Sequence, residues 1–288
     1  MKRYGYFTGP DGFCSRIENA NIVILPVPYD KTSTWIKGAD KGPLALIKAS
    51  SALELYDIET DFEVYKKGIY TCPPLSVDNL PKKMVTKVKV EVSKLLGMDK
   101  FVVTFGGEHS VSIGSISAHS KKYKNLSVLQ LDAHADLREQ YEGTRYNHAC
   151  VAARIKEMCP VVQVGIRSMC VDEKYSLATG NVFLAEEIIK KDNWIKEINR
   201  KLSNDVYVTI DIDVFDPSVM PSTGTPEPGG LDWYQVTKLL KSVTEYKNVV
   251  GFDIVELCPI SQNKAPDFLA AKLCYKFLSY VFKAREKR

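Results

Sequence analysis

Six short runs rich in β-branched and apolar residues punctuate the chain: Ile22–Leu25, Phe101–Phe105, Ser127–Leu131, Val161–Ile166, Val206–Ile212 and Val249–Ile254. Each is nearly continuous rather than alternating, which is the pattern of a strand covered on both faces. Stretches of helical period lie between them. Residues 84–96 place Met84, Val85, Val88, Val92, Leu95 and Leu96 on one stripe, with Gly97 as a stop. Trp194, Ile195, Ile198 and Leu202 make a second stripe, and Phe268, Leu269, Leu273, Phe277 and Tyr280 a third. Strand alternating with helix over most of the length implies an α/β fold with a mainly parallel sheet and helices on both sides. No repeat and no linker rich in Gly, Ser or Pro divides the sequence, so residues 1–288 read as a single domain.

Composition removes several function classes. A formal charge of +4 is too mild and too scattered for a nucleic-acid partner. No apolar stretch approaches the ~20 residues of a spanning helix, so no membrane partner is expected. Met1-Lys2-Arg3-Tyr4-Gly5-Tyr6 has two cations but no apolar core behind them, unlike a secretory signal. The seven cysteines (14, 72, 150, 159, 170, 258 and 274) are odd in number and form no CxxC pair. That usage fits a reducing, cytoplasmic setting and thiols buried as small hydrophobes. Cys150 and Cys258 alone lie close to the polar motifs.

Four segments carry polar residues that folding alone does not require. Gly106-Gly107-Glu108-His109-Ser110 follows the run at 101–105, and Asp132-Ala133-His134-Ala135-Asp136 follows the run at 127–131. Asp211-Ile212-Asp213 closes the run from Val206, and Glu256 follows the run from Val249. Every one falls at the carboxyl end of an expected strand, the edge where open parallel sheets build ligand sites. In an extended backbone, residues i, i+2 and i+4 share a face, so Asp132, His134 and Asp136 converge. His109, Asp132, His134, Asp136, Asp211 and Asp213 together supply two neutral imidazoles and four carboxylates, a formal −4. Carboxylates so crowded repel one another and resist ionisation unless cations compensate them; two divalent ions neutralise the set. Nitrogen and oxygen donors without thiolate suit Mn²⁺ better than Zn²⁺. The chain has four histidines, and three lie in or near these motifs. His119, in Ile116-Ser117-Ala118-His119-Ser120-Lys121, reads instead as a residue on the polar face of a helix.

These segments resemble the signatures of the ureohydrolases, the arginase and agmatinase family. The matching stretches are Gly106 to Ser110, Leu131 to Arg138, and Thr209 to Asp213 continuing through Asp216-Pro217 to Gly229-Gly230. The early Gly38, Gly42-Pro43 and Ala49-Ser50 resemble the family's Gly-Pro loop and helix, so the resemblance covers about residues 20–285. It implies a three-layer α/β/α sandwich, an assembly into trimers or hexamers, and two Mn²⁺ ions per subunit with a bridging hydroxide. One ion would be held by His109, Asp132, Asp136 and Asp211, the other by His134, Asp132, Asp211 and Asp213. Glu256 corresponds to the family's guanidinium-binding glutamate, and His148 to a loop histidine that relays protons. Ala149-Cys150, Ser222 and Asp40 depart from the common pattern without removing a ligand.

The implied reaction is hydrolysis of a guanidino compound to urea and an amine. Hydroxide attack on the guanidinium carbon would be placed by Glu256, with Asp136 and His148 moving protons. Arg138 to Asn147 lacks the Ser-Gly-Asn cluster expected of arginase and looks like the agmatinase branch. Agmatine to putrescine and urea, a step of polyamine biosynthesis, is therefore the first expectation. N1-aminopropylagmatine, giving spermidine, is the next. Glu139 or Glu142 would suit a substrate ending in an ammonium. Arginine, guanidinobutyrate or formiminoglutamate would need a cationic anchor such as Arg138 or Arg145. A metal-binding relative without catalysis would lack a ligand, Glu256 or an open loop, and all of these residues are present.

Overall fold

A computed structural model describes residues 5–8, 16–77, 79–177 and 180–288. Met1–Tyr4 and Cys14 lie outside the described residues. All the expected apolar runs are strands: β1 (Ile22–Val27), β3 (Phe101–Gly106), β4 (Leu126–Leu131), β5 (Val161–Ile166), β7 (Asp205–Asp211) and β8 (Asn248–Val255). Two further strands, β2 (Ile69–Thr71) and β6 (Val182–Leu184), close the two edges and are too short to show a period in the sequence. The helices are α1 (Gly42–Ser50), α2 (Pro81–Gly97), α3 (Val111–Lys122), α4 (Val151–Lys156), α5 (Val171–Ser176), α6 (Ala185–Ile188), α7 (Trp194–Lys201), α8 (Trp233–Tyr246) and α9 (Ala265–Glu286). Pro81 opens α2, where its missing N–H has no partner to lose. Asp232 and Gln235 cap α8 reciprocally.

The eight strands form one sheet in the order β2-β1-β3-β8-β7-β4-β5-β6, and every pairing is parallel. Successive strand residues point to opposite faces. Ile24, Val103, Leu129, Val208 and Phe252 pack on one side with residues of α8 and α9. Val23, Leu25, Val102, Val128 and Tyr207 pack on the other with residues of α2 and α3. Helix, sheet and helix make the three layers expected. Two details differ from expectation: Ile212 leaves the strand and starts a short 3-10 turn, and Phe268 is 42% exposed because it lies off the buried stripe of α9. Among the described residues no helix is long and apolar enough to cross a membrane.

Strand order is what matters for chemistry. The four motif-bearing strands, β3, β8, β7 and β4, are consecutive neighbours at the centre of the sheet. Their register aligns Phe105 with Ile254, Ile254 with Ile210, and Ile210 with Leu131. The residues immediately beyond this row therefore emerge side by side at one level.

Candidate metal centre

Beyond that row the backbone turns sharply, and local sequence explains how. Gly107 passes so close to β1's extension that a Cβ would lie 2.0 Å from the Tyr29 carbonyl oxygen, and Glu108 N–H donates to that same oxygen at 2.8 Å. Only glycine permits this approach. His109 follows at once and is aimed over the sheet edge. Just beyond β4, Asp132 N–H still pairs with the Val164 carbonyl of β5, and His134 makes an isolated parallel bridge with Ser168. Asp136 leaves the extended backbone: its φ is 53°, so it joins the cluster through a left-handed turn rather than the pleat. Glu256 also sits at positive φ, 63°. Two non-glycine residues in this conformation at one site mark backbone strain held where chemistry is built.

The six expected ligands converge. His109 Nδ1 lies 3.1 Å from Asp132 Oδ2, 3.1 Å from Asp136 Oδ2 and 3.3 Å from Asp211 Oδ2. His134 Nδ1 lies 2.9 Å from Asp213 Oδ2 and 3.8 Å from Asp132 Oδ1. Two groups of donors result, His109 with Asp132 and Asp211, and His134 with Asp132 and Asp213; Asp132 belongs to both. His109 Nδ1 is fully buried and has no hydrogen-bond partner despite three carboxylate oxygens around it. A buried nitrogen lone pair surrounded by acceptor oxygens is what a bound cation requires, so the residues fit a divalent metal.

Neighbouring groups settle which tautomer that imidazole takes when it is neutral. Asp253, wholly buried in β8, accepts from Tyr207 Oη at 2.8 Å and from Thr209 Oγ1 at 2.6 Å. Thr209 Oγ1, its proton committed to the carboxylate, is 2.9 Å from His109 Nε2 and accepts from it. Nε2 therefore carries the hydrogen and Nδ1 is left as a donor of electrons, the tautomer that ligates. Other contacts hold the acids: Gln130 Nε2 donates to Asp132 at 2.7 Å, His134 N–H to Asp132 at 2.6 Å, Ala133 N–H to Asp213 at 2.9 Å. Arg167 clamps the Asp213 carbonyl at 2.6 Å. Thr209, Asp253 and Arg167 were not picked out from sequence. The signal for Asp253 was there: a carboxylate inside an otherwise apolar strand.

Electrostatics agree with the need for positive charge. Burial, with the Asp213 charge next, raises Asp132 and lifts Asp211 well above the carboxylate range. Burial and Asp132 push Asp136 up to about 7. Burial opposes charge on His134 and Asp213, but their mutual contact outweighs it, taking His134 up to about 11 and Asp213 down to about 2. His109, buried, is likewise held well above its usual value by Asp132, Asp136 and Asp211. The cluster takes up positive charge wherever it can find it.

The cleft over the cluster has a volume of about 270 Å³. Glu256 faces it, with Oε1 accepting from His109 N–H at 2.7 Å; burial and then Glu108 drive its carboxyl well above the usual range. His148 lines the same cleft, and burial lowers it to about 4, so it is neutral at neutral pH. The expectation for Glu139 and Glu142 is corrected: neither lines the cleft, and Glu139 is engaged by Arg154 at 2.7 Å and Arg145 at 3.6 Å. Glu173 also lines the cleft, buried, with its oxygens accepting from Leu137 N–H and Cys170 N–H and Arg138 Nε 3.9 Å away. Arg138 lines the cleft and stacks 4.3 Å from the Tyr141 ring, whereas Arg145 pairs with Glu157 away from it. Cys150 and Cys258 are buried thiols with raised pKa, inert in this state.

Comparison with known proteins gives a consistent result. The family model described as "Arginase family" matches residues 20–279. The chain is 37% identical over 281 residues to the N(1)-aminopropylagmatine ureohydrolase of Synechocystis sp., spanning 94% of this chain and 92% of that one. It is 34% identical to the agmatinase of Pyrococcus horikoshii, spanning 90% and 91%. Its backbone is similar to the crystal structure of agmatine ureohydrolase of Thermoplasma volcanium, with a TM-score of 0.89, 30% identity, and coverage of 96% and 95%.

Proposed function

From the premise that this chain belongs to the arginase family, we propose that it is a manganese-dependent hydrolase that releases urea from N1-aminopropylagmatine, with agmatine as a poorer substrate. The family makes it a ureohydrolase, acting on C–N bonds of linear amidines. The observation that carries the reaction type is the meeting of both ligand groups and Glu256 in one cleft. The choice of the longer amine rests on the relatives, which favour it over the agmatine that sequence reasoning put first.

His109, Asp132, Asp136 and Asp211 would hold one Mn²⁺, and His134, Asp132, Asp211 and Asp213 the other; when bound, such a pair supplies a water-derived nucleophile at neutral pH. The chain's own residues do the rest. A guanidinium carbon is a poor electrophile because its charge is spread over three nitrogens, so placement matters. Glu256 accepts paired N–H donors from the planar guanidinium, and that cation restores the carboxylate that burial disfavours. Asp136 is suited to accept a proton and return it to the departing amine. His148, neutral and half-buried at the mouth, exchanges protons with solvent. Tyr141 and Met169 give walls for methylenes.

The test is urea release by manganese-loaded protein from N1-aminopropylagmatine, agmatine, arginine and guanidinobutyrate. The highest kcat/KM is expected with the first. A preference for agmatine would reverse the ranking, and no urea from any of them would remove the reaction.

A further inference from the structure

One buried hydroxyl behind a residue of the cleft has no part in the reaction just described. Thr32, 5% exposed, lies in the loop between β1 and α1, while His148 closes the long loop between β4 and α4. Thr32 Oγ1 accepts from the His148 backbone N–H at 3.0 Å and lies 3.3 Å from His148 Nδ1. It also neighbours the Glu108 carboxyl, which burial pushes up to about 7 against the opposing contacts of Ser110 and Thr32. Glu108 is fixed in turn by Ser110, whose hydroxyl donates to it at 2.8 Å and whose N–H donates at 3.1 Å.

A hydroxyl has one proton and two lone pairs. One lone pair of Thr32 is taken by the His148 N–H. The same oxygen lies beside His148 Nδ1, so one buried hydroxyl meets both the backbone and the ring of His148. Asn147 fixes the same turn from the other side, its side chain accepting from Ala149 N–H at 3.0 Å.

We propose that Thr32 is a positioning residue for His148, tethering its loop to the end of β1 and meeting the imidazole at Nδ1, so that the ring is held in its place in the cleft. This rests on the proposed role of His148 in urea release. It adds a residue on a different loop from any ligand, acting through backbone and ring at once.

Three variants and one spectroscopic measurement test it. Thr32→Val keeps the shape and removes the hydroxyl; kcat is expected to fall about 10- to 100-fold with KM within about threefold and metal content unchanged. Thr32→Ser restores the hydroxyl and is expected to return kcat to within about threefold of the parent. In a His148→Ala background, Thr32→Val is expected to have no further effect, because the two act as one unit. A loss of equal size in that background, or a serine variant as slow as the valine one, overturns the proposal. Independently of turnover, hydrogen exchange of the His148 backbone N–H reports the tether: Thr32→Val is expected to speed it about tenfold, and an unchanged rate overturns the proposal. If the parent protein releases no urea, the proposed function fails, and the exchange rate still decides the contact.

Discussion

His109 lies just before α3 and His119 in its last turn, both wholly buried, and the molecule treats them in opposite ways. His109 meets three aspartates and is held well above its ordinary pKa. His119 meets the Tyr207 ring at 4.6 Å, the Ser115 carbonyl at 2.8 Å and the backbone of Gly251, and burial lowers it to about 4. The position near the C-terminal end of α3 would favour a cation, yet burial prevails. Burial alone therefore says nothing about whether a histidine is a ligand. What decides is the chemistry that the neighbouring strands bring to it, and in a parallel sheet that differs between the strand ends and the strand middles.

The contrast can be broken in three ways. The largest effect is expected from His109→Ala, which removes the only imidazole of one donor group; loss of several kcal/mol of metal-derived stabilisation corresponds to a fall in kcat/KM on the order of 10³-fold. Urea release and bound metal should fall together. A variant with full metal content and rate would show that His109 is no more a ligand than His119.

Next comes acid. His119 has a folded pKa of about 4, below the ~6.5 of an unfolded histidine. Above both values neither state is protonated and the stability is intact. Between them the unfolded chain binds a proton that the folded chain does not, so stability is lost as pH falls through that window. The loss attributable to this residue is on the order of 3 kcal/mol. Urea-unfolding midpoints of the parent and His119→Gln at pH 7 and pH 4.5 measure it: the parent should lose more. Equal losses would mean that His119 is not held neutral by the fold.

The smallest effect is expected from Asp253→Asn, which weakens the Thr209 relay to His109 Nε2 while leaving every ligand in place. Manganese affinity should drop about 10- to 100-fold, in the range found for partners of metal-bound histidines. Unchanged affinity would mean that the relay does not set the His109 tautomer.

How much of this was legible beforehand follows from range. The long strands announced themselves because they are buried on both faces, and the acids stood out at their carboxyl ends. Local sequence does not say which strands are neighbours; that β3, β8, β7 and β4 lie together depends on crossovers packed by distant helices. Asp136 was expected by alternation and is delivered by a left-handed turn, which no period reveals. His119 was read as a polar-face residue from Ser120 and Lys121 beside it. The reason it is buried lies on another strand, where a Cβ at Gly251 would come within 2.4 Å of its Nε2. Glu139 carries the charge that a cationic substrate would need, but Arg154 and Arg145 already occupy it. Residues whose meaning comes from their own strand were readable, and those defined by a partner far along the chain were not.

Everything at the centre turns on whether four buried aspartates are compensated by a pair of cations. Metal analysis of protein loaded with Mn²⁺ and freed of excess by gel filtration measures this directly. Two ions retained per chain is the predicted result; one or none would contradict the account.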